Sequence, residues 1–231
     1  MASNYVLEST GISADTRELV FAGDNVRLSG QIDYPNVKPA SGVYPLLFVL
    51  PHAGCNTRHT FKHYADLALQ TGFAVFRWDK RGTGRSGAGG RGSTTQDTAN
   101  AYEIAIEQPH IDVNNVVILA QGEGSVLLGK SFGLFARIQR PKGVILVGNM
   151  LDAKTISAID TPLQIVHGSD DWLDPNVYGK KASEAHNKSY NYNSSHFIAV
   201  KANRMLITQP DETQMFHVGA KQVMQDWLLS L

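Results

Sequence analysis

Cysteine is almost absent from this chain, which has one, Cys55, among 231 residues. A single cysteine excludes an internal disulfide framework and favours the reducing cytoplasm. Long apolar runs are also missing, since none approaches the ~20 residues that a membrane-spanning helix needs. Residues 1–10 lack a basic segment followed by an apolar one, so we expect no secretory signal. The sequence therefore predicts a cytoplasmic protein that does not insert into a membrane.

An excess of either charge is missing too, because 21 Lys and Arg residues balance 21 Asp and Glu residues. Without a net field we expect no nucleic-acid partner and no anionic membrane partner. The 42% hydrophobic content supports a sizeable core. The length suits a single α/β domain over residues 1–231, with an N-terminal extension at 1–16 and a mobile glycine-rich loop at 87–93. A small-molecule ligand and a homo-oligomer both stay open.

The order of predicted elements indicates the fold class. Strands at residues 17–21 and 26–33, joined by a turn, predict a hairpin. Further strands are expected at residues 46–50, 74–78, 116–120, 144–147, 163–167 and 196–200. Helices are expected at residues 60–70, from Thr94 or Thr95 to near 108, at 124–135, at 175–188, and from a capping box at 211–214 to 229. A hairpin followed by repeated β-α units predicts a mostly parallel sheet with helices on both faces.

One strand-to-helix turn lacks the residue that would give it chemistry. Residues 116–124 read VVILAQGEG: an apolar strand, a glycine-rich turn and the start of a helix. This layout is typical of a nucleophile elbow, G-x-S-x-G, which presents a catalytic serine above the sheet. Gly122 occupies the serine's position and has no side chain with which to attack a carbonyl.

Four landmarks resemble the α/β-hydrolase superfamily, over about residues 17–229. Residues 51–55 (PHAGC) resemble its H-G-x-G oxyanion loop, with one glycine replaced by Ala53. Residues 78–86 resemble its D-x-R-G-x-G-x-S stretch, the elbow is the third landmark, and residues 162–174 resemble the strand that ends in G-x-x-D. The resemblance implies an α/β-hydrolase fold, and the short 148–161 connection leaves no room for a lid domain.

The resemblance also implies a triad in the order Ser, Asp or Glu, His. Asp171 takes the acid position, with Asp170 as the adjacent alternative. Arg204 stands where the histidine is expected, and His217 is the alternative as a displaced base. If Asp171 and Arg204 hold these positions, we expect an ion pair between them. Two departures from the triad favour natural loss of hydrolysis over a laboratory substitution of the serine.

The same resemblance places the oxyanion donors at the backbone N–H groups of Glu123 and Ala53, with His52 beside them. Neither N–H depends on the serine, so we expect an anion-binding nook at a helix N-terminus that recruits a water, an anion or a ligand oxygen. The alternative is a loop at 52–57 that has collapsed inward and filled the nook with its own carbonyl groups.

Other candidate residues have simpler structural interpretations. Ser125 and Cys55 are alternative nucleophiles, but each is better interpreted as a small packed residue. His52, His59 and His63 form a histidine cluster with no acidic partner nearby, so we expect no metal, and no cofactor is implied.

The sequence thus predicts a hydrolase-like protein with a dismantled triad, acting as a small-molecule binder or an interaction module. The alternatives are an esterase seen as a Ser-to-Gly variant or using His217, and a non-hydrolytic enzyme that uses the same pocket.

Overall fold

The computed structural model describes residues 15–209 and 213–231, and its main sheet has eight strands. Numbered along the chain, they are β1 (Asp15–Ala22), β2 (Arg27–Tyr34), β3 (Tyr44–Leu50), β4 (Ala74–Asp79), β5 (Ile111–Gln121), β6 (Gly143–Val147), β7 (Leu163–Gly168) and β8 (Ser195–Ala199). Their order across the sheet is β1-β2-β4-β3-β5-β6-β7-β8. A second, two-stranded sheet pairs β9 (Ile207–Thr208) with β10 (Met215–Phe216).

The sheet is mostly parallel with an antiparallel start, as the sequence predicts. Strands β1 and β2 form the hairpin, and β2 pairs antiparallel with β4. From β4 to β8 every neighbouring pair is parallel. The central strands read as continuous apolar runs because helices cover both faces of the sheet.

Within the described residues, five α-helices supply this cover. They are α1 (Lys62–Gln70), α2 (Thr94–Ile106), α3 (Glu123–Gln139), α4 (Ala182–Ser189) and α5 (Val218–Ser230). Helices α2, α3 and α4 contribute to the core on one face, where Tyr102 and Phe135 pack edge to face. Helices α1 and α5 contribute to the core on the other face, through residues such as Leu67 and Met224.

The path of the chain reverses beside β3, and this reversal positions the candidate site. The chain runs from β3 to the neighbouring β4, then crosses back to β5 on the other side of β3. Leu50 and Ala120 are paired at the ends of β3 and β5, so the segments after them begin side by side. Such a switch point is where ligands bind in open α/β sheets.

Several predicted boundaries need correction. Ser93, not Thr94 or Thr95, caps α2, because its hydroxyl accepts from the Gln96 N–H. Strand β5 begins at Ile111 and not at the predicted residue 116. Residues 111–115 belong to the strand although some of them are exposed, and only its later part is continuously buried. Helix α1 begins at Lys62, after a 3₁₀ turn at Arg58–Phe61.

The second half of the chain also differs in detail. Helix α4 begins at Ala182, because a π-helical turn at Asn176–Lys181 follows Pro175. The last helix begins at Val218, with β10 before it, so the proposed capping box does not start it. Residues 211–212 of that box, and residues 1–14, lie outside the described part of the chain.

The connections match the sequence more closely. A short 3₁₀ turn at Ile156–Ala158 is the regular structure between β6 and β7, and no lid domain is inserted there. The 87–93 loop has no helix or strand, and its Gly87 N–H donates to the Arg27 carbonyl at 2.8 Å. Within residues 15–209 and 213–231, no helix is long and apolar enough to cross a bilayer.

Candidate functional site

Gly122 forms the sharp turn between β5 and α3. Its φ of 56° and ψ of −121° lie in a region that side-chain-bearing residues rarely adopt. Its N–H donates to the Val147 carbonyl at 2.9 Å, which fixes the turn against the end of β6. The chain therefore keeps the strained backbone of an elbow and places glycine, the residue for which that backbone costs least, at its apex.

The imidazole of His52 fills the space above this glycine. A Cβ atom built on Gly122 would collide with His52 Nδ1 and lie 3.1 Å from both Cε1 and Cγ of the ring. His52 follows β3, and the pairing of β3 with β5 brings the two segments together. The ring thus occupies the position that the side chain of a nucleophile at residue 122 would need.

The same ring engages the first backbone donor of α3. His52 Nδ1 accepts from the Glu123 N–H at 3.0 Å. For the Glu123 N–H the expectation of an open nook is therefore wrong, because a side chain of the loop after β3 has filled it. The loop does so with an imidazole and not with a carbonyl oxygen, as the sequence-based alternative proposed. For the Ala53 N–H the expectation stays a prediction.

Local contacts keep the His52 ring neutral. Burial is the largest cause that lowers the His52 pKa, and the nearby Arg204 and Lys80 charges lower it further. Because Nδ1 accepts, the proton of the neutral ring sits on Nε2, a tautomer assigned from the hydrogen bond. The Lys80 ammonium donates to the His52 carbonyl and, at 3.0 Å, to the Gly54 carbonyl, so it holds the loop in place.

Asp171 and Arg204 form the ion pair that the sequence predicts. Arg204 Nη1 lies 3.3 Å from Asp171 Oδ1, with the carboxylate fully buried and the arginine side chain 13% exposed. Arg204 Nη2 donates to the Gly148 carbonyl at 3.1 Å. The guanidinium also lies over the Trp172 ring, 4.8 Å from its centroid. Three groups, the Asp171 carboxylate, the Gly148 carbonyl and the Trp172 ring, therefore hold Arg204 in one orientation.

The second carboxylate oxygen of Asp171 shows what the pair leaves unsatisfied. Asp171 Oδ1 also accepts from the Leu173 N–H at 3.2 Å. In the described part of the chain, no group donates to Asp171 Oδ2. Asp170 is exposed and accepts from the Ser169 hydroxyl, so it is Asp171 that faces the interior.

Two residues of this cluster were missed by the sequence reasoning. Gly148, at the end of β6, has a φ of +55°, and a Cβ there would lie 2.8 Å from Arg204 Cγ. A glycine directly after a buried strand could have signalled this close approach. Trp172 is 71% exposed and stacks on Arg204, but a tryptophan next to Asp171 carries no sequence signal of its partner.

The alternative nucleophile and base have structural roles. Ser125 is fully buried, donates to the Gly122 carbonyl at 2.7 Å and accepts from the Met150 N–H at 3.0 Å. His217 caps α5, with Nδ1 accepting from the Ala220 N–H at 3.0 Å. In these arrangements Ser125 joins the elbow to the loop after β6, and His217 begins a helix.

The remaining candidates do not assemble a reactive centre. Cys55 is exposed. His63 is buried beside the Met205 carbonyl, and burial lowers its pKa to about 4. Among residues 15–209 and 213–231, no three His, Cys, Asp or Glu residues lie close enough to hold a metal ion.

A cavity of about 700 Å³ lies beside the elbow, which is within the usual range for small-molecule sites. Its walls come from the loop after β3, the segment after β4, the start of α2 and one face of α3. Ala53 and Glu123, two of the three residues expected around the oxyanion nook, contribute to this wall. The apolar part of the wall includes Leu50, Pro51, Trp78, Val126, Leu127 and Met150.

Solved structures of several hydrolases and hydrolase-like proteins share this architecture. A dienelactone hydrolase-like promiscuous phosphotriesterase from metagenomic libraries is 16% identical, with a TM-score of 0.68 over 94% of this chain and 98% of that chain. A predicted CIB-like hydrolase from Thermoplasma acidophilum is 15% identical, with a TM-score of 0.67 over 94% and 100%. A lidless α/β serine hydrolase from Xanthomonas campestris is 14% identical, with a TM-score of 0.62 over 93% and 92%.

The chain has the α/β-hydrolase fold. No protein-family model matches it, and no curated protein sequence matches it. At such low identities the similarity shows the shared fold alone. The chemistry of this chain depends on the residues at its own site. Within this α/β-hydrolase fold, Gly122 lies at the turn after β5, Asp171 lies after β7, and Arg204 lies after β8.

Proposed function

We propose that this chain is an α/β-hydrolase-like protein that binds a small molecule and does not hydrolyse esters. The observation that carries the proposal is the His52 imidazole above Gly122, bonded to the Glu123 N–H. A hydrolase of this type needs a nucleophile in that space and an unoccupied donor beside it. Here one group fills both positions.

The Asp171–Arg204 pair supports the same conclusion. In a serine triad the acid orients a histidine, which takes the proton of the nucleophile. Arginine stays protonated in proteins, so Arg204 cannot act as that base. Loss of the nucleophile alone costs on the order of 10⁶ in turnover, which is roughly 8 kcal/mol of barrier. Arg204 also supplies no base, and the one imidazole described above Gly122, His52, has its Nδ1 engaged by the Glu123 N–H.

Binding is the function that the remaining geometry favours. The cavity of about 700 Å³ stays open beside the filled nook, and its wall is mainly apolar with a few charged groups. Small-molecule sites have this composition. Binding can be tested with a fragment library and ligand-observed NMR. Val126→Trp, which fills the cavity from α3, should abolish the binding signals, while Val113→Trp on exposed β5 surface should retain them.

Hydrolysis is tested with p-nitrophenyl acetate and a fluorophosphonate probe. We expect no labelling of the chain and no turnover above that of the unfolded protein. Gly122→Ser alone should stay inactive, because His52 occupies the space and Arg204 provides no base. The variant Gly122→Ser/Arg204→His should also stay inactive, because it keeps the His52 ring in the space above residue 122.

Two outcomes contradict this proposal. Labelling of the unmodified chain, at Ser125 or at any other residue, would mean that a nucleophile has been missed. Fast hydrolysis by Gly122→Ser alone would favour the esterase interpretation, in which the glycine replaces a serine and Arg204 is not the histidine equivalent.

A further inference from the structure

The charge of the cavity wall indicates what class of ligand it takes, an inference that rests on the proposed binding function. Helix α3 presents Glu123, Leu127 and Lys130 to the cavity. Their spacing of four and three residues places them along one face of the helix. One wall therefore combines a carboxylate, an apolar side chain and an ammonium group.

The segment after β4 adds two more cations, Lys80 and Arg81. Arg81 is neutralised by Asp97, which accepts from its Nε at 2.5 Å and from its Nη2 at 2.8 Å. Lys80 donates to backbone carbonyl groups, which satisfy hydrogen bonds without cancelling charge. Of the described carboxylates, none forms a salt bridge with Lys80 or Lys130.

The wall thus carries two cations without a salt-bridge partner, Lys80 and Lys130, and one carboxylate, Glu123. Its net charge from these three groups is one positive charge. Burial lowers the Lys80 pKa, and the Glu123 charge partly offsets this effect. A partly buried ammonium group without a counterion is costly, and an anion entering the cavity would reduce that cost. Most of the remaining surface is apolar, including Trp78 and Met150, with hydroxyl groups from Thr94, Thr95 and Thr98, and it favours a ligand with an apolar body.

We propose that the cavity binds a small monocarboxylate whose apolar body packs against Trp78, Leu127 and Met150. One negative charge balances the wall, since Glu123 already cancels one of the two cations. A dianion would leave a negative charge unpaired among apolar side chains.

The test uses isothermal titration calorimetry of the full chain with two probes of similar size, 4-phenylbutyrate and 4-phenylbutan-1-ol. We expect the carboxylate to bind several-fold more tightly than the alcohol, and this preference to shrink at high salt because the ions are partly exposed. Lys130→Gln should weaken carboxylate binding about two- to fivefold, as expected for an exposed ion pair. The matched control Lys154→Gln removes an exposed charge from the turn after β6 and should change nothing.

The outcomes separate this inference from the function on which it rests. If the alcohol binds as tightly as the carboxylate, or Lys130→Gln leaves carboxylate binding unchanged, the anionic ligand class is wrong while small-molecule binding stands. If neither probe binds, the inference is overturned together with the cavity as a site for ligands of this size. A carboxylate preference that falls in Lys130→Gln and persists in Lys154→Gln supports it.

Discussion

His52 and Glu123 are joined by a hydrogen bond in which the first N–H of α3 donates to the imidazole Nδ1 at 3.0 Å. A helix N-terminus leaves its first N–H groups without intrahelical partners, and a neighbouring side chain or a ligand usually satisfies them. Here the partner comes from the loop after β3, which the sheet topology brings alongside. Glycine at position 122 leaves room for the ring, so the absence of a side chain at residue 122 and the position of the His52 ring are sterically linked.

The first prediction concerns that link. Gly122→Ala should lower the free energy of unfolding by about 1–3 kcal/mol through backbone strain alone, and by more because its Cβ meets the His52 ring. Adding His52→Ala should recover the steric part but not the strain. Urea unfolding of both single variants and the double variant gives the coupling energy.

Gly133→Ala is the matched control for this comparison. Gly133 lies in α3 with open space around its Cβ position, so alanine there should stabilise the chain by about 0.5–1 kcal/mol. Purely additive effects of Gly122→Ala and His52→Ala would mean that the ring does not constrain residue 122.

The second prediction concerns the buried pair. Arg204→Ala should cost about 3–5 kcal/mol of unfolding free energy, because it leaves the fully buried Asp171 carboxylate without its cation. Arg137→Ala, an exposed arginine of α3, should have an effect within about 0.5 kcal/mol. Chemical denaturation measures both variants.

Removing both charges distinguishes the electrostatic contribution of the Asp171–Arg204 pair from the packing of the arginine side chain. Asp171→Asn combined with Arg204→Ala should be more stable than Arg204→Ala alone, because no buried charge then lacks a partner. If the double variant is as unstable as or less stable than Arg204→Ala, the loss comes from packing of the arginine stem against Gly148 and Trp172.

The sequence predicted the mostly parallel sheet and the elbow because each has a local signal, whereas the Asp171–Arg204 pair was predicted from the resemblance to the α/β-hydrolase superfamily, which gives these residues the acid and histidine positions. Apolar runs separated by helical patterns predict the parallel sheet. Gly122 is recognisable because it stands at the serine position of the G-x-S-x-G motif. The role of His52 was not predictable in this way, because it depends on where one side chain rotates after β3 and β5 have paired. The capping box at 211–214 failed for a related reason: the chain forms β10 before α5, and His217 caps the helix instead.

The third prediction concerns acid sensitivity. Burial lowers the His63 pKa to about 4, against its ordinary value of 6.5. Above pH 6.5 the ring is neutral in both the folded and the unfolded chain. As the pH falls from 6.5 to 4, the unfolded chain binds the proton first, so stability is lost, by on the order of 3 kcal/mol from this group.

His63→Gln isolates this contribution, since glutamine keeps a donor for the Met205 carbonyl and does not titrate. Urea midpoints between pH 7.5 and pH 4 should fall less steeply in His63→Gln than in the unmodified chain. Equal slopes for the two proteins would show that His63 titrates normally in the folded state.

The last prediction concerns the His52 ring as a function of pH. The His52 pKa is lowered, chiefly by burial and then by Arg204, with Lys80 acting in the same direction and with Glu123 and Asp171 opposing them. The ring therefore stays neutral at neutral pH, and it becomes protonated only below 6.5, the ordinary pKa of histidine.

Protonated Nδ1 is a donor and cannot accept, so acidification should release the Glu123 N–H. In amide NMR, the Glu123 signal should shift as the pH falls below 6.5, and its protection against exchange, relative to the intrinsic rate at each pH, should fall. His52→Gln offers an uncharged acceptor that does not titrate, and its Glu123 signal should show no such transition. A Glu123 amide that behaves identically in both proteins would mean that the imidazole does not hold this N–H in solution.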